Sequence, residues 1–180
     1  MTKDFFKIEI DGRQFKTAYL VYIVKLTSQS RGDFYYVGQT GDRNYMTARP
    51  AFRRLAGHFS DQGHSTENQI YRQIAVKILG IDVASAKQTF DQQTKDTVSD
   101  FLSSCKIEMF VQPLARFLSS ANLDSHKSNR QLTEKIENEL INYFIQQFGK
   151  ERLLNKKLPK SETLQFDHIT TDIINHINSN

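Results

Sequence analysis

Residues 18–41 read AYLVYIVKLTSQSRGDFYYVGQTG. The first nine, Ala18 to Leu26, are almost continuously apolar or β-branched, the composition of a strand buried on both faces. A polar loop, Thr27 to Asp33, separates them from a second β-favouring run, Phe34-Tyr35-Tyr36-Val37. Two such runs so close in sequence predict an antiparallel pair. Gly38 ends the second strand, where a missing side chain lets another backbone or a phosphate come close, and Gln39-Thr40-Gly41-Asp42 turns the chain.

On the amino-terminal side, Phe5 to Ile10, then Asp11-Gly12, then Arg13 to Lys16 predict a hairpin, because Asp-Gly supplies the positive φ angles of a tight turn. On the other side, Pro50 suits the first turn of a helix running to Phe59. Phe52, Leu55 and Phe59 form its apolar stripe, while Arg54 and His58 lie one turn apart on another face that can look into a cleft. Two helical stretches follow, Thr66 to Leu79, opened by a Thr66-x-x-Gln69 capping box, and Ala84 to Ser104. Lys106 to Gln112 reads as a third strand stopped by Pro113. After a polar stretch from Asn122 to Arg130, a strong helix runs from Gln131 to Phe148 and ends at Gly149. With no internal repeat and no low-complexity linker, the expectation is one domain over residues 1–180: a hairpin at 1–17, a helical insertion at 60–104 and a carboxy-terminal extension at 156–180.

Composition agrees with one compact domain, 38% of the 180 residues being hydrophobic and 24% charged. No apolar run approaches the roughly 20 residues needed to span a bilayer, and Met1 to Phe6 lack a signal-peptide pattern, so the expected location is intracellular, in the cytoplasm, away from membranes. Cys105 is the only cysteine, which excludes an internal disulfide and a cysteine-based zinc cluster and leaves a structural thiol. His64, His126, His168 and His176 show no metal-ligand spacing and read as surface or packing residues. The net charge of +4 is unevenly spread: residues 1–60 hold ten Lys or Arg against five Asp or Glu. Residues 131–160 hold six against four, so a polyanion would meet the first part of the chain and the Lys150 to Lys160 stretch.

The long carboxy-terminal helix carries the sharpest chemical clue. At about 100° per residue, Leu132, Ile136, Leu140, Ile141, Phe144 and Phe148 define one apolar arc, and Glu137 falls inside it. Glu134 lies near the edge of the arc, and Glu139 points to solvent. A carboxylate buried alone costs several kcal/mol, so Glu137 requires a cation, a metal or hydrogen-bond donors. A salt bridge to Arg130 or Arg152 is one answer, and a divalent ion such as Mg²⁺, shared with a phosphate and water, is the other.

These residues, in this order, resemble the GIY-YIG nucleases. The resemblance covers Ala18 to His58 and Lys106 to Asn155, with the helices between as an insertion. Tyr36-Val37-Gly38-Gln39-Thr40 is its most specific match, the Arg54 to His58 pair supports it, and Ile136-Glu137-Asn138-Glu139-Leu140-Ile141 resembles the family's metal helix. The first motif has Leu20-Val21 before Tyr22 where the family usually has glycine and a branched residue, and the spacing from Glu137 to Asn155 is longer than in compact members.

The resemblance implies an α/β (α+β) fold, a small domain with a mainly antiparallel three-stranded sheet flanked by helices. It implies hydrolysis of DNA phosphodiesters, with Tyr22 activating or positioning the water, Tyr36 aligning the phosphate and Arg54 clamping it. His58 would orient or transfer a proton, Glu137 would hold Mg²⁺, with Mn²⁺ as the alternative, and Asn155 would close the site. A phenol has a pKa near 10, so Tyr22 as a base requires the positive field of Arg54, His58 and the metal. Because no separate DNA-binding domain is visible, the expectation is a restriction-type endonuclease acting on double-stranded DNA, as a homodimer or by sequential nicking. The alternatives are a structure-specific repair or recombination nuclease and a non-catalytic nucleic-acid-binding module of the same fold.

Overall fold

A computed structural model describes residues 8–43, 46–61, 68–82, 90–120, 122–160 and 165–179. Its centre is a three-stranded antiparallel sheet of β1 (Ala18–Ser28), β2 (Gly32–Gln39) and β3 (Cys105–Arg116) in the order β2-β1-β3. The expected mixed α and β architecture is the one observed. β1 is the middle strand, which is why its sequence is apolar on both faces: Tyr19 to Val24 are all buried. Tyr22 stands opposite Gly38 on β2 and opposite Val111 on β3. The turn between β1 and β2 is tighter than the loop expected, and Gly32 takes the positive φ, 77°, that it needs.

Helices cover both faces. On one, Leu20, Tyr22, Val24, Leu26, Phe34 and Tyr36 pack against α1 (Ala51–Phe59), against α2 (Gln69–Gln73), which runs on into a π turn (Ile74–Ile78), and against α3 (Gln92–Ser103). On the other, Val21, Ile23, Tyr35 and Val37 pack against α4 (Leu123–Phe148) and α5 (His168–Asn178). The described parts of the 60–104 segment therefore form one wall of the core, and Ile173 and Ile174 of α5 belong to the other.

Several boundaries differ from expectation, each for a local reason. The hairpin is not formed over residues 13–16. Asp11 takes φ −62° and its carboxylate accepts from the Arg13 N–H, starting a 3-10 turn over Gly12–Phe15. The rest of that hairpin, residues 1–7, lies outside the described residues, as do Thr66 of the capping box and His64. β3 passes through Pro113 to Arg116, since it is an edge strand and a missing N–H there breaks no ladder; the register shifts by a bulge between Tyr19 and Leu20. α4 starts at Leu123, eight residues early, because the Asn122 side chain caps the Ser125 N–H. No helix among the described residues is long and apolar enough to cross a membrane.

Candidate active site

The two strand tyrosines and the helix histidine meet on one face of the sheet. Tyr22 and Tyr36 lie diagonally across β1 and β2 with ring centroids 6.2 Å apart, and the His58 ring is 5.8 Å from Tyr22 and 4.7 Å from Tyr36. His58 Nε2 is 2.6 Å from Tyr22 Oη, and both residues are fully buried. Gly38 makes this possible: a Cβ there would collide with the Tyr22 hydroxyl, so the group that its missing side chain admits is the phenol of the opposite strand. The buried face of α1 carries Ala51 and His58, while Phe52, Leu55 and Phe59, expected to be its core stripe, are only half-buried.

Arg54, one turn before His58, acts on both phenols, and so does Glu137. Burial dominates the titration of Tyr22. It holds the phenol above its ordinary pKa despite the Arg54 charge, so the expected lowering by neighbouring cations does not occur in the protein alone. Tyr36 is pushed well above 10, by burial first and then by Tyr22. Both are neutral phenols at neutral pH. Tyr22 is therefore placed to donate to His58 Nε2, and Tyr36 donates to Gln69 Oε1 at 3.0 Å.

Glu137 projects from α4, which packs beneath the opposite face of the sheet, yet it is electrostatically coupled to Tyr22, Tyr36 and Arg54. Burial pushes its carboxyl up to about 7, with Glu134 adding to the shift and Arg54 and Arg43 opposing it. Neither salt bridge expected for it forms. Arg130 pairs with Glu134 at 2.7 Å, and Arg152 bonds the Arg31 carbonyl and lies over the Phe34 ring. A carboxylate that is half-buried, raised in pKa and without an ion pair among the described residues suits a hard cation. No group of three His, Cys, Asp or Glu side chains able to hold a metal exists among the described residues.

One expectation from the sequence is corrected here. Glu139 does not point to solvent: it is buried, and Oε2 accepts from the Asp167 N–H at 2.8 Å and the Thr170 hydroxyl at 2.6 Å, fastening α5 to α4. Asn155 faces the backbone of β2. Its Oδ1 accepts from the Val37 N–H at 3.0 Å and its Nδ2 donates to the Val37 carbonyl at 2.7 Å, as a neighbouring strand would. Leu154 extends the same contact by bonding the Tyr35 carbonyl, and Lys77 donates to the carbonyls of Leu153 and Asn155. Asn155 thus sets the position of Tyr36 and Gly38 from behind.

Gln69 is the residue that the sequence did not single out. Its oxygen holds the Tyr36 hydroxyl, and it lines a polar cavity of about 420 Å³ together with Gln39, Asp42, Arg43, Arg49 and Arg54. In the sequence Gln69 reads as part of a capping box, and only the fold of α2 against β2 shows its other contact. His126 is a packing residue, as expected: Nδ1 is 2.6 Å from Tyr19 Oη and Nε2 is 3.0 Å from the Asp42 carbonyl, fixing the start of the loop that carries Arg43 and Arg49.

Comparison of the chain with family models, with curated proteins and with solved structures found no match.

Proposed function

We propose that the protein is a metal-dependent endonuclease of the GIY-YIG type that hydrolyses phosphodiester bonds of double-stranded DNA. One observation carries the proposal: Tyr22, Tyr36, Arg54 and Glu137, drawn from β1, β2, α1 and α4, interact electrostatically, His58 is hydrogen-bonded to Tyr22, and Arg54 reaches from this group into a polar cavity that Arg43 and Arg49 also line. A core that needed only packing would not gather two buried phenols and a buried imidazole with a half-buried guanidinium and a half-buried carboxylate that has no ion pair among the described residues.

The residues divide the work by their chemistry. Arg54 lines the cavity and supplies the fixed positive charge that a phosphodiester acquires need of as its oxygens gain charge. Tyr22 is a neutral phenol whose proton can pass to His58 Nε2 as its oxygen takes one from the attacking water, so the pair works as a relay and Tyr22 need not be a phenolate at rest. Tyr36, fixed by Gln69, aligns the phosphate. Glu137 would hold Mg²⁺ or Mn²⁺, and the ion would supply Lewis-acid charge to the phosphate. Among nucleases, the restriction-type reading is preferred over a junction- or flap-specific enzyme, and the products on palindromic duplex and on branched DNA separate the two. Homodimerisation would let both strands of a duplex be cut.

The Glu137→Ala variant tests the site. It is expected to lose cleavage with Mg²⁺ while still retarding duplex DNA in a gel, because it removes the metal ligand and leaves the basic surface in place. Full Mg²⁺-dependent cleavage by this variant would refute the assignment.

A further inference from the structure

A second cavity adjoins the first. It has a volume of about 200 Å³ and is lined by Arg49, Arg53, Arg54 and Gly57, so that Arg49 and Arg54 are walls shared by both. Among the described residues that line it, three are guanidinium-bearing, Gly57 has no side chain, and none is a carboxylate. Arg53 is exposed, and among the described residues it makes no ion pair.

A multiply charged anion seated between the guanidiniums is held by the bidentate hydrogen bonds that Arg forms to phosphate. The nucleic-acid backbone presents phosphates at about 3.4 Å of axial rise per strand, so a chain with one phosphate at Arg54 carries the next within reach of a neighbouring subsite.

We infer that Arg49, Arg53 and Arg54 form a second phosphate subsite that takes the DNA-backbone phosphate next to the scissile one. The inference rests on the nuclease function proposed above. It gives Arg53 a binding role: contact with a phosphate that does not react, positioning the strand without reading its sequence. Arg49 lies between the two cavities and serves both phosphates.

The test measures binding separately from cleavage. Fluorescence anisotropy with a labelled duplex in EDTA, over a range of salt concentrations, compares the parent, Arg53→Gln and Lys106→Gln. Lys106 is a control at the other end of the sheet, opposite Thr27. Loss of one phosphate contact is expected to reduce the slope of log Kd against log salt by about 0.9 in Arg53→Gln, equally for duplexes of unrelated sequence, and to leave Lys106→Gln like the parent. Thermal unfolding of each variant confirms that the exposed substitution leaves the fold intact. An unchanged slope in Arg53→Gln, or an equal reduction in Lys106→Gln, overturns the subsite while Mg²⁺-dependent cleavage by the parent leaves the nuclease function standing. A parent that neither binds nor cleaves DNA overturns both.

Discussion

Glu137 carries a conflict between stability and the role proposed for it. Its folded-state pKa of about 7 stands above the ordinary value of 4.5, so between those values the folded chain holds a proton that the unfolded chain has released. Stability therefore falls as pH rises through that window, and the full penalty is present above it. Glu137→Gln removes the penalty: in urea unfolding at about pH 8 the variant is expected to exceed the parent by about 1–3 kcal/mol, with the difference closing by about pH 4. A variant less stable than the parent at the higher pH would show that the carboxylate is satisfied in the native protein. The same titration predicts that the apparent Mg²⁺ affinity weakens by about tenfold per pH unit below about pH 7, which isothermal titration at several pH values measures. Glu137 was legible in the sequence because a lone acid inside an apolar arc is visible on a helical wheel. Glu139 was not, because its burial depends on α5, a helix far along the chain that covers what the wheel leaves as an open face.

Strand β2 owes its position to a segment that is not a strand. Asn155 supplies both hydrogen bonds to Val37 with its side-chain amide, between Tyr36 and Gly38, and Lys77 from the π turn holds the carbonyl of the same residue. Asn155→Ala leaves the Val37 N–H and carbonyl buried without partners and is expected to cost about 2–4 kcal/mol, with a larger loss in kcat than in DNA affinity because Tyr36 moves with the strand. A variant of parental stability and rate would contradict this positioning role. β1 carries two buried tyrosine–histidine hydrogen bonds, Tyr22 to His58 of α1 and Tyr19 to His126 of α4, so helices on both faces are registered to one strand. The strands themselves were legible from β-branched and aromatic runs that end at glycine. The amino-terminal hairpin was misread because Asp-Gly permits a hairpin turn without enforcing one, and the Asp11 carboxylate offers the backbone a closer partner in Arg13. β3 outran its proline because edge position, a property of the sheet and not of the strand's own residues, decides whether Pro113 is tolerated.

At the scale of the molecule, the sheet is a partition: α1, α2 and α3 stand on the side of the two phenols, and α4 and α5 on the other. The site draws Tyr22 and Tyr36 from the sheet, Arg54 and His58 from one side and Glu137 from the other, so chemistry and packing are shared by the same core. The segment read from sequence as an insertion belongs to this scheme, since Ile70, Tyr71 and Ile74 pack on the sheet and Gln69 fixes Tyr36. That contribution had no signature in the sequence, because a glutamine at a helix start is explained locally and its partner is 33 residues away. The excess of basic residues in the first third of the chain is concentrated where Arg43, Arg49, Arg53 and Arg54 line adjoining cavities. The central claim, a metal-dependent DNA endonuclease built on this group, is tested most directly by incubating plasmid and long duplex DNA with the purified protein in Mg²⁺ and in EDTA, beside Arg54→Ala. Discrete fragments that require Mg²⁺ and vanish in the variant are the predicted result; intact DNA in every lane, or fragments that Arg54→Ala produces at the parental rate, would contradict it.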